Sequence, residues 1–223
     1  MTTNSVSCIA LVLTLAAAAP LAGQAAGGLE IGAKVGLTSS TLDVETTDPI
    51  EVDRLTGFGG GGYLRIPLGR VALQPELLWL RKGASLSSSA FGDVSADLKL
   101  DYVEIPLLLV IPVSLQGGVS PYFFGGPTIA FEAGCEVSVE GGGIDLTADC
   151  DEGDDVNVGE ERKKTDLGVA LGAGIRIPAG GGGVLIEGRY THGLTNLDDS
   201  ADPDTIKNRS IAVLFGYSFP LGR

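Results

Sequence analysis

The sequence predicts an all-β fold: an eight-stranded antiparallel up-and-down transmembrane β-barrel. Three observations point there. Stretches of roughly ten residues alternate between apolar and mixed side chains, the period of a strand with two different faces. Their connections alternate between tight turns and long acidic segments, the asymmetry of a barrel set in a membrane. The mixed faces consist of Gly and Ala interrupted by charges of both signs, which suits a narrow lumen packed with side chains better than a surface facing water.

The first residues are read separately. Ile9 to Leu15 and Ala16 to Ala19 form an apolar core, Pro20 breaks it, and Gly23-Gln24-Ala25 supplies small residues for cleavage. Residues 1–25 therefore read as a secretory signal peptide, and residues 26–223 as the barrel domain. No Lys or Arg precedes Lys34, so the terminal amine is the whole positive region. Cleavage also removes Cys8 and leaves Cys135 and Cys150, an even pair in an exported chain and hence an expected disulfide.

The strands follow in order. Leu29, Ile31, Ala33, Val35 and Leu37 share one face of the first, with Glu30, Gly32, Lys34 and Gly36 on the other. A polar connection is expected from Ser39 to Leu55. The second strand sets Phe58, Leu64 and Ile66 against Tyr63 and Arg65, and turns at Pro67-Leu68-Gly69-Arg70. The third sets Val71, Leu73, Leu77 and Trp79 against Gln74, Glu76 and Lys82, before a Ser-rich connection to about Asp97. The fourth and fifth run from Leu100 to Phe131. Val103, Ile105, Leu107, Leu109 and Ile111 make an unbroken aliphatic face, opposite Tyr102, Glu104, Pro106, Leu108 and Val110. Pro106 and Pro112 rule out a helix here.

The longest connection is expected from Ala133 to about Lys164; it holds both cysteines and 10 acidic residues between Glu136 and Glu161. The sixth strand sets Leu167, Val169, Leu171, Ile175 and Ile177 against Asp166, Gly172, Gly174 and Arg176. The seventh sets Val184, Ile186 and Tyr190 against Glu187 and Arg189. A loop carrying Asp198, Asp199, Asp202 and Asp204 leads to the last strand, where Ile211, Val213, Phe215, Tyr217 and Phe219 share a face.

Face orientation separates a soluble, lipocalin-like ligand-holding barrel from a membrane barrel. The charges Glu30, Lys34, Arg65, Glu76, Glu104, Arg176, Glu187 and Arg189 all fall on mixed faces and are expected to form a lumen network that blocks any sizeable pore. Arg176 and Glu187 are expected to be diagonal neighbours. Phe123, Tyr217 and Phe219 fall near one end of the apolar face, and Phe58, Trp79, Phe131 and Tyr190 near the other, as two interfacial girdles would. Leu107 should then face lipid and Leu108 the interior.

Several segments, taken in order, resemble the PorT-like outer-membrane β-barrel proteins, often labelled porin family. They are Gly32-Ala33-Lys34-Val35-Gly36-Leu37, Leu73-Gln74-Pro75-Glu76-Leu77, Tyr102-Val103-Glu104-Ile105-Pro106-Leu107, Pro121-Tyr122 with Gly125-Gly126-Pro127, and Arg189 to Leu197 before Lys207-Asn208-Arg209. The resemblance implies a bacterial outer-membrane barrel.

Other motifs weigh little. Gly57-Phe58-Gly59-Gly60-Gly61-Gly62 spells a dinucleotide fingerprint but leads into a strand with Arg65 and Pro67, not a helix, so no cofactor is expected. His192 is the single histidine, and Leu194 stands where an outer-membrane lipid hydrolase would need its serine, so neither catalysis nor a zinc site is expected. Asp149 to Asp155 lacks the EF-hand order, its Gly arriving one position early. A net charge of −13 argues against a nucleic-acid partner. The expected partners are outer-membrane lipid or lipopolysaccharide and a surface ligand of the acidic loops, with the barrel as a monomer. A small-solute porin and a lipid-modifying enzyme are the functional rivals.

Overall fold

The computed structural model describes residues 28–45, 52–88, 94–113, 118–141, 144–150, 164–196 and 205–222. The expected signal peptide, the aspartates at 198–204 and the whole acidic run after Cys150 lie outside these residues. The described residues form nine strands: β1 (Leu29–Glu45), β2 (Val52–Leu68), β3 (Val71–Ser88), β4 (Val94–Pro112), β5 (Ser120–Gly141), β6 (Ile144–Asp149), β7 (Thr165–Ala179), β8 (Gly182–Gly193) and β9 (Thr205–Leu221). Eight of them close on themselves. The order β4-β3-β2-β1-β9-β8-β7-β5 is completed by a β4–β5 pairing, and β6 hangs on the free edge of β5 beyond the barrel wall. All pairings are antiparallel.

The faces are inside-out relative to a water-soluble protein. Leu107 is 44% exposed and Leu108 is fully buried, although they are neighbours in one strand. Ile31, Val35, Leu77, Leu171, Val213 and Phe215 are likewise exposed, whereas Lys34, Gln74, Glu76, Glu104, Glu187 and Arg189 are buried. An aliphatic exterior around a charged interior is the arrangement that lipid, not water, selects. Phe58 and Trp79 meet edge to face at one end of this band, with ring centroids 5.4 Å apart. Tyr217 and Phe219 pack together at the other end, where the Tyr217 hydroxyl donates to the Ala179 carbonyl at 2.6 Å.

The lumen is narrow because eight strands enclose little more than their own side chains. Glycine makes that filling possible. Gly32 faces Tyr63 across β1–β2, and Gly174 and Gly172 face Tyr122 and Phe124 across β5–β7. A Cβ at any of these three glycines would lie about 2.3–2.5 Å from the facing ring, so each ring lies flat over the backbone of its partner. Tyr63, Tyr122 and Phe124 then form one interior cluster with Ala72, Leu108, Val110, Ala170 and Leu185. A second cluster, Leu100, Tyr102, Ala130, Cys135 and Cys150, lies toward the opposite end.

The ends of the barrel differ from the sequence expectation. The turns at Gly69 and at Gly180-Gly181 are short, and these glycines take positive φ as tight turns require. At the other end the strands run well past the aliphatic band. Segments expected as loops, Ser39–Glu45, Gly83–Ser88 and Ala133–Gly141, continue the ladder instead. Alternation is weak there because the buried inward positions are small or polar, as at Ser40, Ala84 and Ser138, so hydrophobic periodicity carries little signal. A bulge between Asp101 and Tyr102 also shifts the phase of β5. Tyr102 pairs with Glu132 and Asp101 with Gly134, which turns Cys135 inward.

Replacing Leu107 or Val213 by Arg should cost about 2–4 kcal/mol of folding free energy in a bilayer. Urea titration of the vesicle-inserted protein measures it. A soluble barrel with these side chains facing water would show almost no change.

Candidate functional site

The interior charges form three ion-paired groups, and Gln74 joins the central one to the one at the mouth, accepting from Arg65 Nε and donating to Glu76 Oε1. The central one joins Lys34, Glu76, Glu187 and Arg189, each at most 1% exposed in its side chain. Lys34 Nζ donates to Glu76 Oε1 at 2.8 Å and also to Glu187 Oε2. Arg189 Nη2 donates to Glu76 Oε2 at 2.7 Å. Two cations face two anions, so the group is neutral, the condition under which charges are tolerated away from bulk water. Tyr122 donates its hydroxyl to Glu187 Oε1 at 2.8 Å, and Gln74 donates to Glu76 Oε1 at 2.6 Å.

Lys82 and Glu104 form a second, separate buried pair. The third group lies at the short-turn mouth. Arg176 Nη2 sits 3.1 Å from Glu30 Oε1, and Arg65 Nη1 lies 3.9 Å from Glu30 Oε2. Arg176 and Glu187 are diagonal neighbours across β7–β8, as expected. Arg176 is level with Leu185, two residues nearer the mouth than Glu187, and there Glu30 is its partner. Lys82, Tyr122 and Gln74 join the expected charges; all three stand on mixed faces, where parity alone marks them as interior. Each buried cation also lies over a ring: Lys34 Nζ is 4.6 Å from the Tyr63 centroid, Lys82 Nζ 5.4 Å from Tyr102 and Arg189 5.3 Å from Phe124.

The long-strand end is the second notable region. β4, β5 and β6 form a polar sheet extension there, with Glu136 paired to Lys99 and to Asp149 in the ladder. Cys135 and Cys150 are disulfide-bonded with Cα atoms 5.4 Å apart, as expected from the sequence, and the bond ties the end of β6 back to β5. Lys99 Nζ donates to Glu136 Oε1 at 3.0 Å, which holds the Glu136 carboxyl below the usual carboxylate range. Just below, Arg81 pairs with Asp101 through two hydrogen bonds of 2.8 Å and lies 5.8 Å from both the Phe58 and Trp79 rings. His192 stands on the outer face beside Tyr190, with ring centroids 6.5 Å apart. Among the described residues no group of three or more His, Cys, Asp or Glu side chains is placed to hold a metal ion.

Residues 19–199 match the outer membrane protein beta-barrel domain family. The chain belongs to that family. It is an integral protein of the bacterial outer membrane, and by the usual orientation of such barrels its short turns face the periplasm and its strand extensions the exterior. Among solved structures it is similar to Neisserial surface protein A, with a TM-score of 0.51 at 15% identity over 87% of this chain and 98% of that one. OprG from Pseudomonas aeruginosa matches with a TM-score of 0.46 at 13% identity, covering 87% of this chain and 97% of its own. Ail, the attachment invasion locus protein of Yersinia pestis, matches with a TM-score of 0.44 at 16% identity, over 86% and 99%. A comparison with curated protein sequences finds no match.

The central group of this outer-membrane barrel should behave as a unit. Glu76→Gln leaves Lys34 and Arg189 to share Glu187, and should cost about 3–5 kcal/mol. The double variant Lys34→Met/Glu76→Gln restores neutrality and should lose less than the sum of its single variants. Unfolding followed by fluorescence of Trp79, the one tryptophan, measures both.

Proposed function

We propose that this outer-membrane barrel works as a closed surface-interaction protein whose acting surface is the β4–β5–β6 extension. One observation carries the reading: the wall continues outward as a disulfide-clipped sheet while the lumen behind it is filled. β5 runs for 22 residues, about twice what a tilted crossing needs, and Cys135–Cys150 fastens β6 to it. A rigid platform of this kind presents a defined polar surface to a partner without paying to order it on binding. The plugged interior argues against solute passage. The lumen side chains at Lys34, Glu76, Glu187 and Arg189 leave no continuous aqueous path at their level, since all are buried. The protein acts without catalysis, as a monomer, and sits against outer-leaflet lipid or lipopolysaccharide along its aliphatic band. The order of its segments supports the PorT-like branch as the finer placement.

Pure protein in planar bilayers should give no large, steady conductance. Reduction of the disulfide should open the β5–β6 hairpin to added protease, because closing a loop of this length contributes about 3 kcal/mol, yet leave the heat-dependent gel migration of the barrel unchanged. Steady channel currents, or a hairpin equally resistant when reduced, would count against the platform reading.

A further inference from the structure

The short-turn mouth holds a half-enclosed cavity of about 360 Å³, lined by Glu30, Arg65, Arg176 and Tyr122 with apolar walls from Val71 and Pro112. Its charge runs against that of the chain. The whole protein carries −13, but among the described residues this end holds Arg65, Arg70 and Arg176 against Glu30 alone. Inside the cavity two guanidiniums therefore converge on one carboxylate. Their remaining donors are not used up. Arg65 donates through Nε to Gln74 at 2.6 Å, while its buried Nη2 has no hydrogen-bond partner. Arg176 donates through Nε only weakly to Ser218 Oγ, at 3.4 Å. Tyr122 supports the arrangement from within, since the Arg65 guanidinium lies 4.8 Å from its ring centroid.

A planar guanidinium with free N–H groups is matched by an oxyanion, which it can grip through two parallel hydrogen bonds. A buried donor left without a partner costs free energy that a ligand can recover. The cavity lies inside the barrel mouth and opens toward the periplasm, away from the lipid-facing wall. We propose that this mouth is a binding site for one oxyanion group, a carboxylate or a phosphate, carried on a small organic body from the periplasmic side. Glu30 then acts as the built-in competitor: it holds the two arginines in position when the site is empty and yields part of their bonding to the ligand. The bound group replaces the long Arg65–Glu30 contact and takes up Nη2, while the apolar walls receive the body that carries it.

The experiment uses the full barrel in nanodiscs, with side-chain NMR of ¹⁵N-labelled arginine as the readout. Acetyl-alanyl-alanine with a free carboxylate, its C-terminal amide, and inorganic phosphate are the three probes. The free acid should shift the Arg65 and Arg176 signals saturably, and the amide should not. Arg176→Gln should weaken that binding about tenfold or more, and Glu30→Gln should tighten it about tenfold by removing the competing carboxylate. Saturable shifts with phosphate alone would support the site and assign its oxyanion to phosphate. Equal response to acid and amide would overturn the proposal. So would the absence of saturable shifts with every probe in both the wild type and Glu30→Gln. Heat-dependent gel migration confirms that each variant is folded, so a lost signal is not mistaken for a lost barrel. The platform reading is untouched by either result, since it concerns the opposite end.

Discussion

The structure depends on one constraint: a closed wall of eight strands encloses so little space that every inward side chain must fit against those across from it. Gly32, Gly172 and Gly174 meet that constraint by opposing Tyr63, Phe124 and Tyr122. Without the missing side chains on one strand, the rings on the next would have nowhere to lie. The flat rings in turn leave cation-accepting faces, and Lys34 and Arg189 settle over two of them while bonding to Glu76. Packing and electrostatics are thus solved by the same residues. The glycine content that would weaken an ordinary sheet is here what allows the interior to close.

Burying four charges at the centre is tolerable because they sum to zero and both carboxylates are hydrogen-bonded. Tyr122 and Gln74 matter as much as the charges for that reason, since each satisfies a carboxylate oxygen that no cation occupies alone. The neutral plug also separates the two ends of the barrel electrically. One end carries arginines around a shallow cavity, and the other extends as a sheet with Lys99–Glu136 and Arg81–Asp101 pairs on its outer surface. A continuous water path would screen and mix these fields; a packed, low-dielectric middle keeps them distinct.

The sheet extension has a different physical basis from the wall below it. Within the membrane the backbone ladder is obligatory, because lipid offers no alternative partner for N–H and C=O groups. Beyond the girdle water competes for those groups, and the ladder persists through cross-strand pairs and covalent closure. The inward turn of Cys135 after the Asp101–Tyr102 bulge places it beside Leu100, Tyr102 and Ala130, so the disulfide also caps the upper interior cluster.

The sequence by itself determined which residues face lipid and which face the lumen, because side-chain direction in a strand is a local, period-two property. It also determined the strand count of the wall, the ends at which aromatics collect, and the Cys135–Cys150 pairing, since the expected cleavage leaves only these two cysteines to pair. Tertiary structure alone decided which charges meet. Lys34, Glu76 and the Glu187/Arg189 pair come from three different strands, β1, β3 and β8, and their convergence depends on the stagger of the closed barrel, which no single strand encodes. The same non-local stagger brings Arg176 to its ion-pair partner Glu30. The extension past Ser39, Gly83 and Ala133 was illegible for a further reason: its inward positions include Ser40, Ala84 and Ser138, small or polar side chains whose burial leaves no mark on hydrophobic periodicity.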